Sequence, residues 1–344
     1  MSGNSAKNAA LGASLASSFV TELKALEIPA EVPEGAPMSQ LHLAADAVNM
    51  NATKTQMLFS DGNGVDATAA AAALKELHLV VMGFVAHAQA ALGTQGKTFD
   101  AAVKAASTTL SRACGNLIKV ATENETRSEW LKPALAEVYE AVKAVKQLPK
   151  DGRAAVAKAM LKAATIVKDV SNELSELGSG GGFFRADDAD ADADDDDDAA
   201  AATAVVDQDD LLFGDDDFSE AEMMIAKQCA SFASASFDFV KAVLGPTVRG
   251  PSASASDAAA LERALERCEA FRREVEEIGA GVYPPQDVAD IVHRAGGALE
   301  AARGMASAVE EAGGASGETK DAVDAFEGAV EALRDATGSE VEAA

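Results

Sequence analysis

Residues 261–278 read LERALERCEAFRREVEEI, and this stretch decides the fold class. Its apolar side chains recur every three or four positions, which is the spacing of one face of an α-helix. These positions are Leu261, Leu265, Cys268, Phe271, Val275 and Ile278. Asp257, just before the first of them, is a predicted N-cap. The stretch therefore predicts an amphipathic helix with one buried face.

The same period continues on both sides of this stretch. It predicts further helices over residues 11–26, 41–58, 66–92, 99–117, 128–145, 151–177, 219–243, 288–309 and 323–333. No segment of useful length alternates with period two, so no strand is predicted. Alanine accounts for 77 of the 344 residues and aromatic residues for 5%. Because alanine favours helix and adds little to a core, we expect an all-α fold of closely packed helices.

An acidic tract interrupts the helical pattern. Fifteen aspartates lie between Asp187 and Asp217, and no Lys, Arg, Glu or His interrupts them. Such a segment repels itself and has few large apolar groups to bury, so it is typical of disordered chain. The predicted fold is therefore two antiparallel helical bundles joined by a disordered acidic linker.

The predicted domain bounds follow from this tract. Residues 1–37 form an N-terminal helix with a proline-rich connector, 38–178 a five-helix bundle, 179–218 the acidic linker and 219–338 a four-helix bundle. Short connections between helices favour antiparallel neighbours. Docking of the N-terminal helix on the four-helix half would complete five helices there.

The net charge narrows the classes of partner. At -27 the chain repels phosphate backbones and anionic lipid, so we expect neither nucleic-acid nor membrane-surface binding. Residues 77–96 carry no formal charge, but two histidines, two glutamines and three glycines interrupt them. This polarity favours a helix at the centre of a bundle over a membrane span.

The chain shows no recognisable catalytic or metal-binding pattern. Asp61–Gly64 resembles the start of a calcium loop, but Val65 and Ala72 stand where ligands are needed. The three cysteines are isolated and the four histidines lack ligand spacing. We therefore expect no enzyme, no cofactor and no metal site. The cysteines are Cys114, Cys229 and Cys268.

Ser219 is the candidate regulatory site. Ser219 and Glu222 have the spacing of a capping box, in which each side chain bonds the other residue's backbone. The acidic residues around Ser219 also suit an acid-directed kinase. A phosphate there would be stabilised by the helix dipole and repelled by the nearby carboxylates. The alternative is that Ser219 is a plain N-cap.

Three segments together resemble one known family. They are Leu148–Leu177, a Pro-Lys-Asp connector with a long helix, Asp207–Glu222, an acidic spacer, and Val282–Asp287, which reads VYPPQD. In this combination they are similar to the cyclin-D-interacting protein (GCIP) family, also called cyclin-D-binding proteins. The order and spacing of the predicted helices agree with that family over most of residues 38–337.

The resemblance implies an all-helical, two-bundle protein of the nucleus and cytoplasm. Its relatives bind D-type cyclins and helix-loop-helix regulators and restrain cell-cycle transcription. The resemblance also makes Tyr283, Pro284 and Pro285 a family-motif turn, where Pro-Pro presets the chain before a helix rather than contacting a ligand. The chain has no Ser-Pro or Thr-Pro, so a binding role fits better than that of a cyclin-dependent kinase substrate.

The predicted function is a non-enzymatic, protein-binding regulator that presents helix faces to cell-cycle or transcription partners. Two other classes stay open. A cytoskeletal adaptor of the vinculin or talin type uses similar bundles and would co-sediment with actin. An acidic chaperone for basic proteins such as histones would bind through the tract, so deleting Asp187–Asp217 would abolish capture.

Overall fold

The computed structural model describes residues 38–60, 67–93, 95–122, 127–178, 218–250, 255–314 and 316–341. Over these ranges the chain forms helices and no strand, which confirms the all-α prediction. The predicted helix over 11–26 and the acidic tract lie outside the described residues. The helices are α1 (Met38–Ser60), α2 (Ala67–Ala91), α3 (Lys97–Thr122), α4 (Arg127–Lys146), α5 (Gly152–Gly178), α6 (Glu220–Arg249), α7 (Ala255–Gly281), α8 (Val288–Glu311) and α9 (Ser316–Val341).

Several helix ends follow from local sequence. The Asp151 side chain accepts the Ala154 backbone N–H at 2.8 Å, which caps the start of α5. At the end of α8, Gly313 takes a positive φ of 80°, a conformation that glycine adopts without steric cost. The Gly314 N–H then donates to the Val309 carbonyl at 2.9 Å, which closes a Schellman motif.

The end of α6 lies further along the chain than predicted. The sequence indicated a stop near Val243, whereas α6 continues through Pro246 to Arg249. Proline lacks only its own N–H, so near a C-terminus the loss is a single helical bond. The Gly250 N–H donates to the Pro246 carbonyl at 3.2 Å, which extends the helical pattern beyond the proline. The predicted helix end at residue 243 is therefore corrected to Arg249.

Contacts divide the described chain into two compact units. Unit 1 comprises the residues up to Leu161, Leu244–Glu266 and Ser307–Ser316. Within it α1 packs on α2 and α4, and α3 packs on α2 and α4, so α1 to α4 form a four-helix bundle. Short connections make consecutive helices antiparallel. The largest fully buried side chains of unit 1 are Leu41, Leu74, Leu77, Phe84, Leu92, Leu110, Leu117, Ile118 and Leu131.

Unit 2 comprises Lys162–Val243, Arg267–Ala306 and the residues from Gly317 onward. Four buried aromatic rings form the centre of its core, and we refer to them as the Phe cluster. Ring centroids within it lie 5.3–5.5 Å apart in tilted and edge-on arrangements that aromatic pairs prefer. Its members are Phe232 and Phe239 on α6, Phe271 on α7 and Phe326 on α9.

Most of α5 belongs to unit 2, which differs from the predicted bundles over 38–178 and 219–338. A Cβ added at Gly279 of α7 would come within 2.9 Å of Val170 of α5, so the two helices approach closely there. Periodicity identifies the buried face of α5, but it does not identify the helices that cover that face. Among the described residues, unit 2 therefore contains parts of five helices, α5 to α9.

Candidate protein-binding surfaces

The outer face of α1 carries a row of large apolar side chains, Leu43, Met50 and Met57, which we call the α1 stripe. Their exposed fractions are 62%, 58% and 63%. A step of seven residues turns an α-helix by nearly two full turns, so these side chains lie above one another on one face. The opposite face of α1 holds buried residues such as Leu41 and Val48. Single exposed apolar residues are ordinary, whereas three in register form a candidate interaction surface.

Polar contacts tie both flanks of the α1 stripe to its neighbours. Asp46 accepts from Lys146 of α4 at 2.5 Å, and Lys54 donates to Glu76 of α2 at 3.3 Å. The Thr53 hydroxyl lies 3.1 Å from a tyrosine hydroxyl of α4. Exposed pairs of this kind stabilise by only about 0–1 kcal/mol. They do neutralise the flanking charges, so the stripe is an apolar surface between locally neutral edges.

A second surface surrounds Trp130, the single tryptophan of the chain. Trp130 lies early in α4 and is 55% exposed. It lines a groove between α3 and α4, which we call the Trp130 groove. Asn116 of α3 donates to Glu137 of α4 at 2.8 Å along this groove. The lining residues are Asn116, Lys119, Val120, Trp130, Pro133, Ala134 and Glu137.

Tryptophan is enriched among residues that dominate binding energy, because it buries a large apolar area and keeps a polar N–H. Among the described aromatic residues that are more than half exposed, Trp130 presents the largest surface. The groove therefore offers an anchor point for a partner side chain or helix.

One buried cation organises unit 1. Arg153, at the start of α5, is only 3% exposed. Its guanidinium donates to the Ala312 carbonyl at 2.6 Å and to the Thr247 carbonyl at 3.3 Å, at the ends of α8 and α6. Helix C-termini carry partial negative charge, which compensates a nearby cation. A Cβ at Gly250 would meet this guanidinium, so a larger residue there would require the Arg153 side chain to shift.

The structure places Ser219 in the predicted capping box. The Glu222 N–H donates to the Ser219 hydroxyl at 3.2 Å, while the Ser219 N–H and hydroxyl donate to the Glu222 carboxylate at 2.9 and 2.7 Å. The bond from the Ser219 hydroxyl, and to a smaller extent the bond from the Ser219 N–H, lowers the pKa of Glu222. Ser219 itself is exposed. Its role as a phosphorylation site stays a prediction.

The Tyr-Pro-Pro turn holds helices of unit 2 together. Tyr283 donates to Glu173 of α5 at 2.7 Å, and burial followed by this bond raises the pKa of Tyr283 to about 12. The peptide bond between Pro284 and Pro285 is cis. Gln286 donates to the Glu222 carbonyl at 3.1 Å. The turn and the capping box, separate in sequence, therefore meet at the start of α6.

The three cysteines are buried. Burial raises the pKa of each thiol to about 12. Such thiols are almost entirely protonated near neutral pH and react slowly. Among the described residues, no three His, Cys, Asp or Glu side chains come together in a way that could hold a metal ion.

One described helix is long and apolar enough to cross a membrane when judged by length and composition. It covers Thr68–Ala91, with a mean hydropathy of 1.6, and 33% of its most apolar window is buried. In unit 1 this helix packs between α1 and α3, with Leu74, Leu77 and Phe84 in the core. Bundle packing accounts for its apolar inner face, while the predicted lack of membrane binding stays a prediction.

Comparison with models of known protein families shows which family this chain belongs to. The family model described as "Grap2 and cyclin-D-interacting, N-terminal" matches residues 40–180, and the corresponding C-terminal model matches residues 193–302. The chain belongs to the Grap2 and cyclin-D-interacting protein family. No curated protein matches it significantly. Family membership confirms the resemblance seen in the sequence and makes this chain a member of a protein-interaction family.

The two apolar surfaces were not identified from the sequence. Helical spacing identifies the buried face of a helix, which in α1 includes Leu41, Val48 and Thr55. A search for apolar residues seven apart on the opposite face would have found Leu43 and Met50. Nothing in the sequence alone indicates that Trp130 faces solvent beside a groove. Both surfaces lie within the N-terminal family match.

Proposed function

We propose that this cyclin-D-interacting family member is a non-enzymatic regulator that binds protein partners through the Trp130 groove. D-type cyclins are the first partners to test, because the family description names them. Helix-loop-helix regulators are the second. The observation that supports this proposal is the half-exposed tryptophan beside a groove between two helices of unit 1.

The geometry favours a partner that inserts an apolar side chain next to Trp130. Lys119 and Glu137 line the groove with opposite charges, so the groove has little net charge of its own. An amphipathic helix laid across α3 and α4 would cover the indole and place its polar face outward. The chain carries a net charge of -27, which steers basic partners toward it in preference to acidic ones.

The exposed area of the indole sets the expected energy. A tryptophan buries about 150–250 Å² in an interface, so the exposed half contributes roughly 100–130 Å². At about 25 cal/mol per Å² this corresponds to about 3 kcal/mol, which is the size of a binding hot spot. Complete loss of this contribution should therefore weaken binding by about 100-fold.

The test is isothermal titration calorimetry of the full chain against a purified D-type cyclin. Trp130→Ala is expected to raise the Kd by at least about tenfold. Met224→Ala is the matched control, because Met224 is 52% exposed and lies in unit 2, outside the groove. Its Kd should equal that of the unaltered chain. If the unaltered chain does not bind the cyclin, the proposal that D-type cyclins are partners is wrong. If both variants have the same Kd, the Trp130 groove is not the binding site.

We also propose that the protein acts in both nucleus and cytoplasm, as a regulator of cell-cycle transcription would. Immunofluorescence of the native protein, with nuclear and cytoplasmic markers, tests this. Exclusion from the nucleus throughout the cell cycle would contradict it.

A further inference from the structure

The outer face of α2 carries a row of residues that matches the α1 stripe. Leu79 is 68% exposed, and Ala72 and Ala86, which lie seven residues before and after it, are exposed as well. We call these three residues the α2 row. As in α1, a step of seven residues places them on one face of the helix, opposite the buried Leu74 and Leu77.

The α1 stripe and the α2 row lie side by side. α1 and α2 pack against each other, and the short connection between them makes them antiparallel. The ion pair between Lys54 of α1 and Glu76 of α2, at 3.3 Å, sets their register. In this register Met50 lies beside Leu79, and the rows stay in step because both repeat every seven residues. They form one surface, which we call the α1–α2 face.

The α1–α2 face is neutral, although the chain is strongly acidic. The chain carries a net charge of -27, which repels a second copy at most points of its surface. Two acidic and two basic residues are present in these two helices, so two copies can meet here without net repulsion. The face also has no net charge that would attract a strongly charged partner. The four residues are Asp46, Lys54, Lys75 and Glu76.

Gly83 lies near the centre of this face. It is exposed in the interior of α2, and a Cβ placed on it would have no neighbour within 4 Å among the described residues beyond its own helix. Glycine is unfavourable inside a helix, because it loses more backbone freedom than any other residue. Within one copy no close contact at Gly83 compensates this loss. A second helix that approaches the backbone of α2 would use the space that the missing side chain leaves.

The α1–α2 face contains both a ridge and a hollow. Met50 and Leu79 project from it, whereas Gly83 and Ala86 leave a hollow beside them. Helices pack by placing the ridges of one into the grooves of the other. In a two-fold dimer each copy supplies both parts. When α2 crosses its own copy at Gly83, Leu79 of each copy lies against Ala86 of the other.

The size of the face suits a weak dimer. Each row extends about 21 Å, and two packed helices have axes about 8–10 Å apart. With the width of the side chains included, the face covers about 500 Å² on each copy, or roughly 1,000 Å² in total. That area lies in the range of weak, transient interfaces, with a Kd on the order of 10–100 μM.

We propose that the chain forms a two-fold symmetric dimer through the α1–α2 face, with the two copies of α2 crossing at Gly83. The second copy covers the α1 stripe and the α2 row together. The Trp130 groove lies on α3 and α4, so the dimer does not depend on the proposed partner binding there.

Sedimentation equilibrium of the full chain at about 1 to 200 μM tests the dimer. The average mass should rise with concentration from that of one chain toward twice that mass. Raising the salt from about 0.1 to 0.5 M should leave the Kd unchanged or lower it, because salt screens the repulsion between acidic chains. The mass of a single chain at every concentration would overturn the proposal. A Kd that rises with salt would also overturn it, because ionic contacts would then hold the copies together.

Gly83→Glu tests the position of the contact. The two new carboxylates would meet at the crossing point, so the Kd should rise at least about 100-fold. The site is open and glutamate favours helix more than glycine does, so each chain should keep its fold.

Gly328→Glu is the matched control. Gly328 is exposed in α9 of unit 2, and a Cβ there also has no neighbour within 4 Å among the described residues outside its helix. The variant adds the same charge and should leave the Kd within about twofold. An unchanged Kd in Gly83→Glu, or an equal rise in both variants, would exclude the α1–α2 face.

A mixture of two variants tests the two-fold axis. Gly83→Glu and Gly83→Lys should each stay monomeric alone, because like charges meet at the crossing point. An equal mixture of the two should associate, because opposite charges then meet there. This association would also show that both variants are folded. A mixture that stays monomeric would overturn the crossing at Gly83.

Discussion

Replacing Arg153 by methionine tests whether a buried cation stabilises unit 1. Methionine has similar length and fills most of the same volume, so the change removes the charge and its hydrogen bonds with little cavity. Arg153 is 3% exposed and donates to the carbonyls of Ala312 and Thr247. No carboxylate bond to it is present among its described contacts, so helix-end carbonyls take the place of a counter-ion.

The expected change in the free energy of unfolding is the balance of two opposing effects. A hydrogen bond from a charged donor stabilises by about 1.5–3 kcal/mol, so losing two costs about 3–6 kcal/mol. Burying the guanidinium removes it from water, which costs the folded state several kcal/mol. Arg153→Met removes this cost and so offsets part of the loss. Because Arg153 keeps compensation from two helix C-termini, we expect the lost bonds to dominate, with a net destabilisation of about 2 kcal/mol.

Urea unfolding measured by tryptophan fluorescence is the assay. Trp130 is the single tryptophan and lies in unit 1, so its emission reports the unit that contains Arg153. With a slope of about 2.5 kcal/mol per M, Arg153→Met should lower the midpoint by about 0.8 M. Lys158→Met, on the exposed side of α5, removes the same charge and should shift it by less than about 0.2 M.

Two results would refute the reasoning. A midpoint unchanged in Arg153→Met would mean that the carbonyl contacts contribute nothing net. A raised midpoint would mean that the cost of burying the guanidinium exceeds the value of its hydrogen bonds, as happens for some buried ion pairs.

Four further predictions concern the core, two titrating groups and the tract. Phe326→Ala should destabilise unit 2 by about 3–5 kcal/mol in calorimetric unfolding, because it removes the ring that contacts three others. In a Tyr139→Phe background, ultraviolet absorbance should show Tyr283 ionising near pH 12, and the stability from its bond should fall as pH rises from 10 toward that value. The lowered pKa of Glu222 gives stability that is present above its ordinary value of 4.5 and is lost as pH falls through the lowered value, so Glu222→Gln should flatten acid unfolding curves. Deleting Asp187–Asp217 should leave cyclin affinity within about twofold, whereas a histone-type chaperone would lose its binding.

The sequence predicted the helices better than their grouping. Apolar spacing identified the inward faces of α1 and α7, since that spacing is a direct product of helix geometry. The capping box at Ser219 was also evident, because it depends on residues only three positions apart. The extension of α6 past Pro246 was missed, because contacts distant in sequence decide it.

The helices that pack against α5 and the two apolar surfaces also depend on contacts distant in sequence, so helical spacing does not predict them. Val167 and Leu174 are buried on one face of α5, but only the close approach of Gly279 to Val170 shows that α7 packs against this helix. Exposure is likewise a property of the assembled bundle. Met50 and Trp130 could equally have been core residues by type alone.

Most of α5 belongs to unit 2, and the acidic tract follows α5 in the chain. The residues between Gly178 and Glu220 connect α5 to α6, and both of these helices contribute to unit 2. Cutting the chain there would leave two polypeptides that share one hydrophobic core, and they should co-elute on size exclusion until denaturant is added. The same position is then a natural place for new termini in a circularly permuted chain, whereas expressing either side alone would leave half a core without its complement.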